Sequence, residues 1–299
     1  MKLNYKMLVL VVGMVLLAGC AGEKNTVATP TGVPVITATA VPTSEPTVEL
    51  TATAAPTVTP TNTPTPEPTA TPTPSPTPTS TPTPTPTEAP LLIVIDPGHQ
   101  RKGNYDKEPN GPGSDVMKAK VSSGTQGVST GIPEYKLTLA VSLLLKEELL
   151  ARGYDVIMTR ETHDIDISNV ERAIIANEAK AAAFIRVHAD SAESSSAKGV
   201  MTICQTPDNP YNSEWYEESK RLSELVLEEV VAETGAKKRR VWETDTMTGI
   251  NWTTVPTTIL EMGFMSNPEE DELMATEEYR KKIAIGVANA IDRYLKSEE

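Results

Sequence analysis

The sequence has 299 residues with 40 acidic and 27 basic side chains, which gives a formal net charge of −13. A chain this acidic is a poor partner for nucleic acid, because phosphate binding depends on clustered lysine and arginine. Most prolines lie between residues 30 and 90, in a stretch composed largely of Thr, Pro, Ala and Val. Such a stretch cannot bury enough apolar surface to offset its chain entropy, so one folded domain is expected at residues 91–299.

The first twenty residues have the features of an export signal. Lys2 and Lys6 precede an apolar stretch at residues 7–17, which suits a signal-peptide core and is too short to span a bilayer. The stretch ends in Leu-Ala-Gly-Cys at Cys20, and this box resembles the one that bacterial lipoproteins carry. The resemblance implies a signal peptide at residues 1–19 and a lipid anchor on Cys20. Cleavage without lipidation is the alternative.

Residues 20–90 are predicted to form a disordered, extended linker. Repeated Thr-Pro pairs favour polyproline conformation, because each proline fixes its own φ and biases the residue before it. At about 3.1 Å per residue, a linker of this length reaches up to roughly 200 Å. A disulfide would have to join Cys20 in the linker to Cys204 in the domain, the only other cysteine, which would be an unusual pairing.

From residue 91 onwards, strands and helices are predicted to alternate. Apolar runs indicate strands at residues 91–95, 154–159, 183–187, 200–204 and 257–260. Helical spacing indicates helices at residues 134–151, 169–179, 214–233 and 276–295, the second with a capping box of Ser168 and Glu171. The alternation predicts an α/β fold, a single domain with a mostly parallel sheet flanked by helices on both faces. In such sheets the active site lies beyond the C-terminal ends of the strands.

Two further segments lack a periodic pattern. Residues 100–131 are rich in Gly, Pro and Ser, and this composition suits a lid or a specificity loop. Residues 237–240 form a run of four basic side chains. We interpret this run as solvated surface rather than as a contact for an anionic polymer, because four charges are few.

Four residues are expected to converge at the C-terminal edge of the sheet. His99 and His188 stand directly after predicted strands. Glu134 begins the long helix, and Glu261 directly follows the last predicted strand. Because these strand ends meet at one edge, the two imidazoles and the two carboxylates are expected to face a common site.

These residue types suit a catalytic zinc site. Zinc binds neutral imidazole and carboxylate, and three protein ligands leave a fourth position for water. The spacing alone leaves other interpretations open, since a histidine at a strand end is often only hydrogen-bonded and Glu134 can act simply on the helix dipole. Glu261 has apolar residues on both sides, where an unpaired charge is costly unless it has a function.

At these residues the domain resembles the zinc-dependent N-acetylmuramoyl-L-alanine amidases of the amidase 3 type. The similarity runs from about residue 91 to the end of the chain. It is carried by four stretches in the family's order: Ile95-Asp96-Pro97-Gly98-His99, Gly131-Ile132-Pro133-Glu134-Tyr135, Arg186-Val187-His188-Ala189-Asp190 and Val255-Pro256-Thr257-Thr258-Ile259-Leu260-Glu261-Met262-Gly263-Phe264-Met265-Ser266-Asn267.

The resemblance implies a reaction and a role for each converging residue. His99, Glu134 and His188 are expected to bind Zn²⁺, and Glu261 is expected to be the catalytic acid and base. The expected reaction is hydrolysis of the amide bond between N-acetylmuramic acid and the L-alanine of the peptidoglycan stem peptide.

Three other residues are candidates for the same site or for its surroundings. Arg172 and Asn177 match a further helix of the family. Each of them either has a structural role or lines the substrate-binding site, and the sequence leaves both interpretations open. His163, the third histidine, lies in a polar stretch that no family motif includes, and we interpret it as a surface residue.

Two rival functions are compatible with such a domain. A different zinc hydrolase on the same fold would cleave another amide or ester, because a zinc site defines the reaction better than the substrate. A catalytically silent cell-wall-binding module would be expected to lack Glu261 or one of the ligands, and all four residues are present.

The predicted location and partners follow from the two resemblances together. The protein is expected outside the cytoplasm, lipid-anchored to the cell membrane through Cys20 and facing the cell wall. Peptidoglycan is the expected partner, nucleic acid is not, and a requirement for an activator protein is left open.

Overall fold

The computed structural model describes residues 90–296 of the chain. The predicted signal peptide, the lipidation site Cys20 and nearly all of the predicted linker lie outside the described residues. Within residues 90–296, no helix is both long enough and apolar enough to cross a membrane.

Eight strands lie within the described residues. They are β1 (Leu92–Pro97), β2 (Asn104–Pro109), β3 (Met117–Val121), β4 (Asp155–Met158), β5 (Ala183–Asp190), β6 (Val200–Cys204), β7 (Lys238–Glu243) and β8 (Thr257–Phe264). Six of them form one sheet in the order β4-β1-β5-β8-β6-β7, and β2 pairs with β3. Neighbours in the large sheet are parallel, except that β6 is antiparallel to β8. The mostly parallel sheet predicted from the sequence is therefore confirmed.

Helices cover both faces of this sheet. They are α1 (Glu134–Ala151), α2 (Asn169–Glu178), α3 (Tyr216–Thr234), α4 (Thr248–Asn251), α5 (Pro268–Ala275) and α6 (Glu277–Lys296). Side chains alternate between the faces along a strand. Ile93 and Ile95 of β1 pack with buried residues of α1, α3 and α6, whereas Val94 packs with Ala176 of α2 on the opposite face. Burial of each aliphatic side chain stabilises the fold by about 1.5–3 kcal/mol, so this alternation positions both layers of helices.

The long helix α1 has the bounds predicted from the sequence. It follows Pro133, which lacks a backbone N–H and whose φ of −66° suits a helix entry. Gly153 lies just beyond its end with a φ of +89°, a left-handed conformation that glycine adopts without steric cost. The first residue of α1 is Glu134, so the helix start fixes the position of a predicted site residue.

Replacement of Ser168 by alanine is expected to destabilise the domain by about 1 kcal/mol. The Ser168 hydroxyl accepts a hydrogen bond from the Glu171 backbone N at 3.1 Å, and the Glu171 carboxylate accepts one from the Ser168 backbone N at 2.7 Å. This capping box holds the start of α2. Urea unfolding checks the loss, with Ser168→Thr as the control because its hydroxyl still accepts the hydrogen bond. Equal stability of the two variants would contradict the expected contribution of the cap.

Two segments differ from the sequence prediction. Residues 100–131, interpreted from their composition as a lid or a specificity loop, contain the antiparallel hairpin of β2 and β3, which was not predicted. Residues 238–240 of the basic run form the start of β7, which pairs with β6 at the edge of the sheet. Arg239 does not simply face solvent as expected, because its Nη1 lies 3.0 Å from a carboxylate oxygen of Asp190.

Candidate active site

A cleft of about 380 Å³ opens at the C-terminal ends of β1, β5 and β8. The loop at residues 121–125, the first residue of α1 and the helix α4 complete its walls. This is the edge at which the sequence predicts the site, because parallel strands with helical connections present their C-terminal ends together.

His99 enters the cleft from the loop after β1. Its backbone has a φ of +61°, a left-handed conformation that is uncommon for a residue other than glycine. Its Nδ1 lies 3.0 Å from the Ser122 carbonyl oxygen. A carbonyl only accepts hydrogen bonds, so Nδ1 carries the proton and Nε2 presents its lone pair to the cleft.

Glu134 and His188 meet His99 at this point. The Glu134 Oε1 lies 3.0 Å from His99 Nε2 and 3.3 Å from His188 Nδ1, and the two nitrogens are 3.1 Å apart. Potential ligand atoms of the three residues fall within 4.8 Å of one another. The Glu134 carboxylate is also fixed by the backbone N–H groups of Thr125 and Ala189, at 2.9 and 3.1 Å. The structure therefore brings the three predicted ligands together in a group that could hold a metal ion.

The electrostatics of this group favour the protonation states that a metal ligand needs. Burial lowers the pKa of His188 to about 4, so its imidazole is neutral at pH 7. Burial acts to raise the pKa of Glu134, but the adjacent imidazoles of His188 and His99 outweigh it and hold the pKa well below its usual range. A neutral imidazole and an ionised carboxylate are the forms that bind zinc.

Glu261 lies beside the group on β8. Its Cα is paired with that of His188 on β5 and with that of Met201 on β6. Its Oε2 is buried and has no hydrogen-bond partner among the described residues. Burial, together with the nearby Glu134 and Asp190 carboxylates, raises the pKa of Glu261 well above its usual range. A carboxyl group with a raised pKa and a free oxygen is suited to accepting and returning a proton.

His188 and Glu261 occupy different backbone positions from those predicted. Both were expected just after a strand, but β5 extends to Asp190 and β8 to Phe264. The strands continue because they pair with each other at His188 and Glu261, and β6 supports β8 from the other side. The two side chains still lie close to the carboxyl ends of their strands, so the predicted convergence does not depend on this correction.

Arg172 and Asn177 make structural contacts rather than bordering the cleft. Arg172 is only 1% exposed, and its Nη1 lies 2.6 Å from the Asp96 carboxylate. The amide of Asn177 donates to the Trp252 carbonyl at 2.8 Å and accepts from the Thr254 N. Neither residue lines the cleft, so their contacts favour the structural interpretation over the substrate-lining one. His163 lies outside the group formed by His99, Glu134 and His188.

Arg186 is a charged residue of the cleft that the sequence analysis did not identify as a site residue. It lines the cleft although it is only 3% exposed. Burial acts to raise the pKa of its partner Asp96, but the guanidinium groups of Arg172 and Arg186 outweigh it and hold that pKa well below its usual range. An arginine within an apolar run such as residues 183–187 is a signal that could have identified it, because a buried charge requires a partner.

Comparisons with known proteins agree with this geometry. The model of the N-acetylmuramoyl-L-alanine amidase family matches residues 93–293. The N-acetylmuramoyl-L-alanine amidase AmiC of Neisseria meningitidis is 26% identical over 240 residues, covering 68% of this chain and 52% of that protein. The probable cell wall amidase LytH of Staphylococcus aureus is 27% identical over 202 residues, covering 68% of this chain and 57% of that protein. The chain thus spans about half the length of these two relatives.

A solved structure extends the comparison to the fold. The crystal structure of the N-acetylmuramyl-L-alanine amidase Ami1 from Mycobacterium smegmatis has a TM-score of 0.63 and 25% sequence identity, covering 70% of this chain and 99% of that one. The family match spans the sheet and every residue of the predicted site. This chain belongs to the N-acetylmuramoyl-L-alanine amidase family.

Proposed function

We propose that the protein hydrolyses the amide bond between the lactyl group of N-acetylmuramic acid and the L-alanine of the peptidoglycan stem peptide. One observation carries the proposal: His99, Glu134 and His188 converge in a cleft that also contains the unpartnered Glu261 carboxyl group. Family membership supplies the substrate class, because the relatives are named for this amide bond.

We propose zinc as the cofactor, with His99, Glu134 and His188 as its ligands. Two imidazole nitrogens and one carboxylate oxygen are a donor set that fits catalytic zinc. The contact between His99 Nε2 and His188 Nδ1 at 3.1 Å supports this choice, because both nitrogens also lie within 3.3 Å of the Glu134 carboxylate and a single cation could bind all three atoms. Zinc bound here would polarise the substrate carbonyl and make water a better nucleophile.

Glu261 is proposed to carry the protons of the reaction. Its free oxygen accepts a proton from the attacking water, and the raised pKa then retains that proton long enough to return it to the alanine amine as the bond breaks. The Ser122 carbonyl keeps the proton of His99 on Nδ1, and the Thr125 and Ala189 N–H groups hold Glu134 in place. These contacts keep the ligands oriented so that substrate binding does not have to reorganise them.

Anchoring to the cell membrane remains a proposal based on the sequence. The Leu-Ala-Gly-Cys box at Cys20 supports lipidation, and the Thr/Pro-rich linker supports a domain held away from the membrane and facing the cell wall. Metabolic labelling with a fatty-acid analogue checks this. Label that is absent from the wild-type chain, or that persists in Cys20→Ala, would refute the anchor.

Digestion of purified peptidoglycan tests the proposed activity. The zinc-loaded protein is expected to release intact stem peptides with a free N-terminal alanine, detected by mass spectrometry. A chelator is expected to abolish release and added zinc to restore it, because three protein ligands hold a dissociable ion. Cleavage at another bond would overturn the substrate assignment, and no cleavage by the zinc-loaded protein would overturn the proposed activity.

Gly98→Ala is expected to weaken zinc binding by about 10- to 100-fold. A Cβ at Gly98 would lie 2.4 Å from the His188 Cε1, so the imidazole would have to move away from the other ligands. Competition with a chromogenic chelator measures the affinity. Ser195→Ala is the control, because Ser195 is exposed and does not line the cleft, and it should keep the wild-type affinity. An unchanged affinity in Gly98→Ala would contradict the proposed role of His188.

A further inference from the structure

Arg186 has a hydrogen-bonding group that the proposed chemistry does not use. Its Nε donates to Asp96 Oδ2 at 2.8 Å and its Nη2 donates to Asn169 Oδ1 at 2.9 Å. Its Nη1 has no hydrogen-bond partner within residues 90–296. Because Arg186 lines the cleft, this nitrogen is a donor available to a bound molecule.

The backbone opposite Arg186 leaves room for this nitrogen. A Cβ at Gly249 of α4 would lie 1.7 Å from Nη1 and 2.3 Å from Cζ. Gly249 also lines the cleft. Any side chain at position 249 would push the guanidinium group out of its place, so glycine there maintains the position of Nη1.

Arg186 and Arg172 leave an excess of positive charge around Asp96, although the carboxyl groups of Glu134, Asp190 and Glu261 line the same cleft. Asp96 is the one carboxylate that Arg186 contacts in the part of the chain that the structure describes, and Asp96 also lies 2.6 Å from Arg172. Two buried guanidinium groups share a single carboxylate. Because an incompletely paired buried charge is costly, an anion that enters the cleft and contacts Nη1 would be stabilised.

The distance between Arg186 and the site of the scissile bond indicates which part of the substrate Arg186 could contact. Arg186 and His188 lie two residues apart on the same face of β5, and this spacing corresponds to about 6–7 Å. Ile259 is the neighbour of Arg186 on β8, just as Glu261 is the neighbour of His188. An extended peptide covers about 7 Å in two residues. With the scissile amide at His188 and Glu261, a stem peptide that runs towards Arg186 places the residue after the alanine at this side chain.

We propose that Arg186 binds a carboxylate on the second residue of the stem peptide, so that the enzyme selects acidic stems over amidated ones. This inference rests on the proposed function, because the position is counted from the scissile bond. A guanidinium group binds a carboxylate through charge-assisted hydrogen bonds that are about twice as strong as those between neutral groups. A carboxamide at the same place offers one neutral acceptor and two donors that face a cation.

A pair of substrates that differ only at this group tests the proposal. The zinc-loaded full chain is given N-acetylmuramyl-L-alanyl-D-isoglutamate and its isoglutamine counterpart. The kcat/KM for the acid is expected to exceed that for the amide by about 10- to 100-fold. Arg186→Met is expected to reduce this ratio to near one. Equal kcat/KM values of the wild type for the two substrates would overturn the proposal.

A second variant separates recognition from stability. Arg186→Met removes a positively charged partner of Asp96, whereas Gly249→Ala keeps the guanidinium group in the chain and moves it sterically from its place. The acid-to-amide ratio is expected to fall in Gly249→Ala as well. An acid-to-amide ratio equal to that of the wild type in a folded Gly249→Ala protein would overturn the proposal. Because both rates in the ratio are measured on the same variant, a general loss of activity cancels.

A binding measurement distinguishes this inference from the proposed function. If neither substrate is cleaved, the proposed activity fails, and the two ligands are then titrated calorimetrically into Glu261→Gln protein. The Glu261→Gln protein is expected to bind the acid more tightly than the amide, and the double variant that also carries Arg186→Met is expected to lose this preference. That result would support the carboxylate site independently of turnover. Equal binding of the two ligands, or binding of neither, would overturn it.

Discussion

Glu261→Gln is expected to lower the kcat for release of stem peptides by about 100- to 10,000-fold. Glutamine keeps the size of the side chain but cannot take a proton from water and pass it to the departing amine. The Oε2 of Glu261 is buried without a partner, so no structural contact in the described part of the chain is lost at this atom. Burial already raises the pKa of this carboxyl group, and a neutral amide avoids the cost of burying a charge.

The stability and the zinc content of Glu261→Gln distinguish a catalytic role from a structural one. Thermal unfolding is expected at the wild-type temperature or above it, because functional carboxyl groups are often retained at a cost in stability. Zinc content is expected to stay the same, since Glu261 is not one of the proposed ligands. Glu272→Gln is the matched control, because Glu272 is exposed on α5 and does not line the cleft. More than a tenth of wild-type activity in Glu261→Gln would contradict the acid and base role.

The central strands of the fold could be predicted because they are buried on both faces. Residues 93–95 of β1 are 0% exposed, and such strands read as continuous apolar runs. The helix α1 was predicted with equal success, because Pro133 and Gly153 mark its ends chemically. The antiparallel direction of β6 was not predictable, since pairing depends on contacts between residues far apart in the chain.

The β2 and β3 hairpin was missed because its residues are mostly polar. Only Glu108 is fully buried in β2 and only Val121 in β3, so neither strand shows the alternation that identifies a half-buried sheet. The hairpin nevertheless leads into Ser122, whose carbonyl orients His99. The hairpin therefore helps to position a residue of the site. Composition alone indicated only a loop in this segment.

The convergence of four residues was predictable from the sequence, but the shape of the cleft was not. His99, His188 and Glu261 were identified by type and by position near strand ends, Glu134 by its position at the start of a helix, and their roles were implied by the family resemblance. Arg186 was not identified, because it lies in an apolar run that predicts a buried strand of the core. Its significance depends on Asp96 and Gly249, which are distant in sequence and meet it only in the folded chain.

The buried ion pair of Arg172 and Asp96 supports the loop that carries His99. The side chains are 1% and 0% exposed, with Nη1 and Oδ1 2.6 Å apart. Arg172 also donates through Nη1 to the Pro97 carbonyl at 2.9 Å and through Nη2 to the His99 carbonyl at 3.1 Å. One guanidinium group thus holds the end of β1 and the left-handed residue that follows it, a conformation that persists only when its surroundings enforce it.

Arg172→Met is therefore expected to destabilise the domain by about 3 kcal/mol, the lower end of the range for breaking a buried ion pair. The lower end applies because Asp96 keeps hydrogen bonds from Arg186 and Thr159, at 2.8 and 2.6 Å. Urea unfolding measures the loss.

The control for this prediction is an ion pair on the surface. Arg101 lies 3.1 Å from Asp164, but the two side chains are 55% and 73% exposed, and exposed pairs contribute about 0–1 kcal/mol. Arg101→Met is expected to unfold close to the wild type. If Arg172→Met were as stable as Arg101→Met, water would have to replace the guanidinium group in the interior. The His99 loop would then be held by the hydrogen bonds of Ser122 rather than by the ion pair.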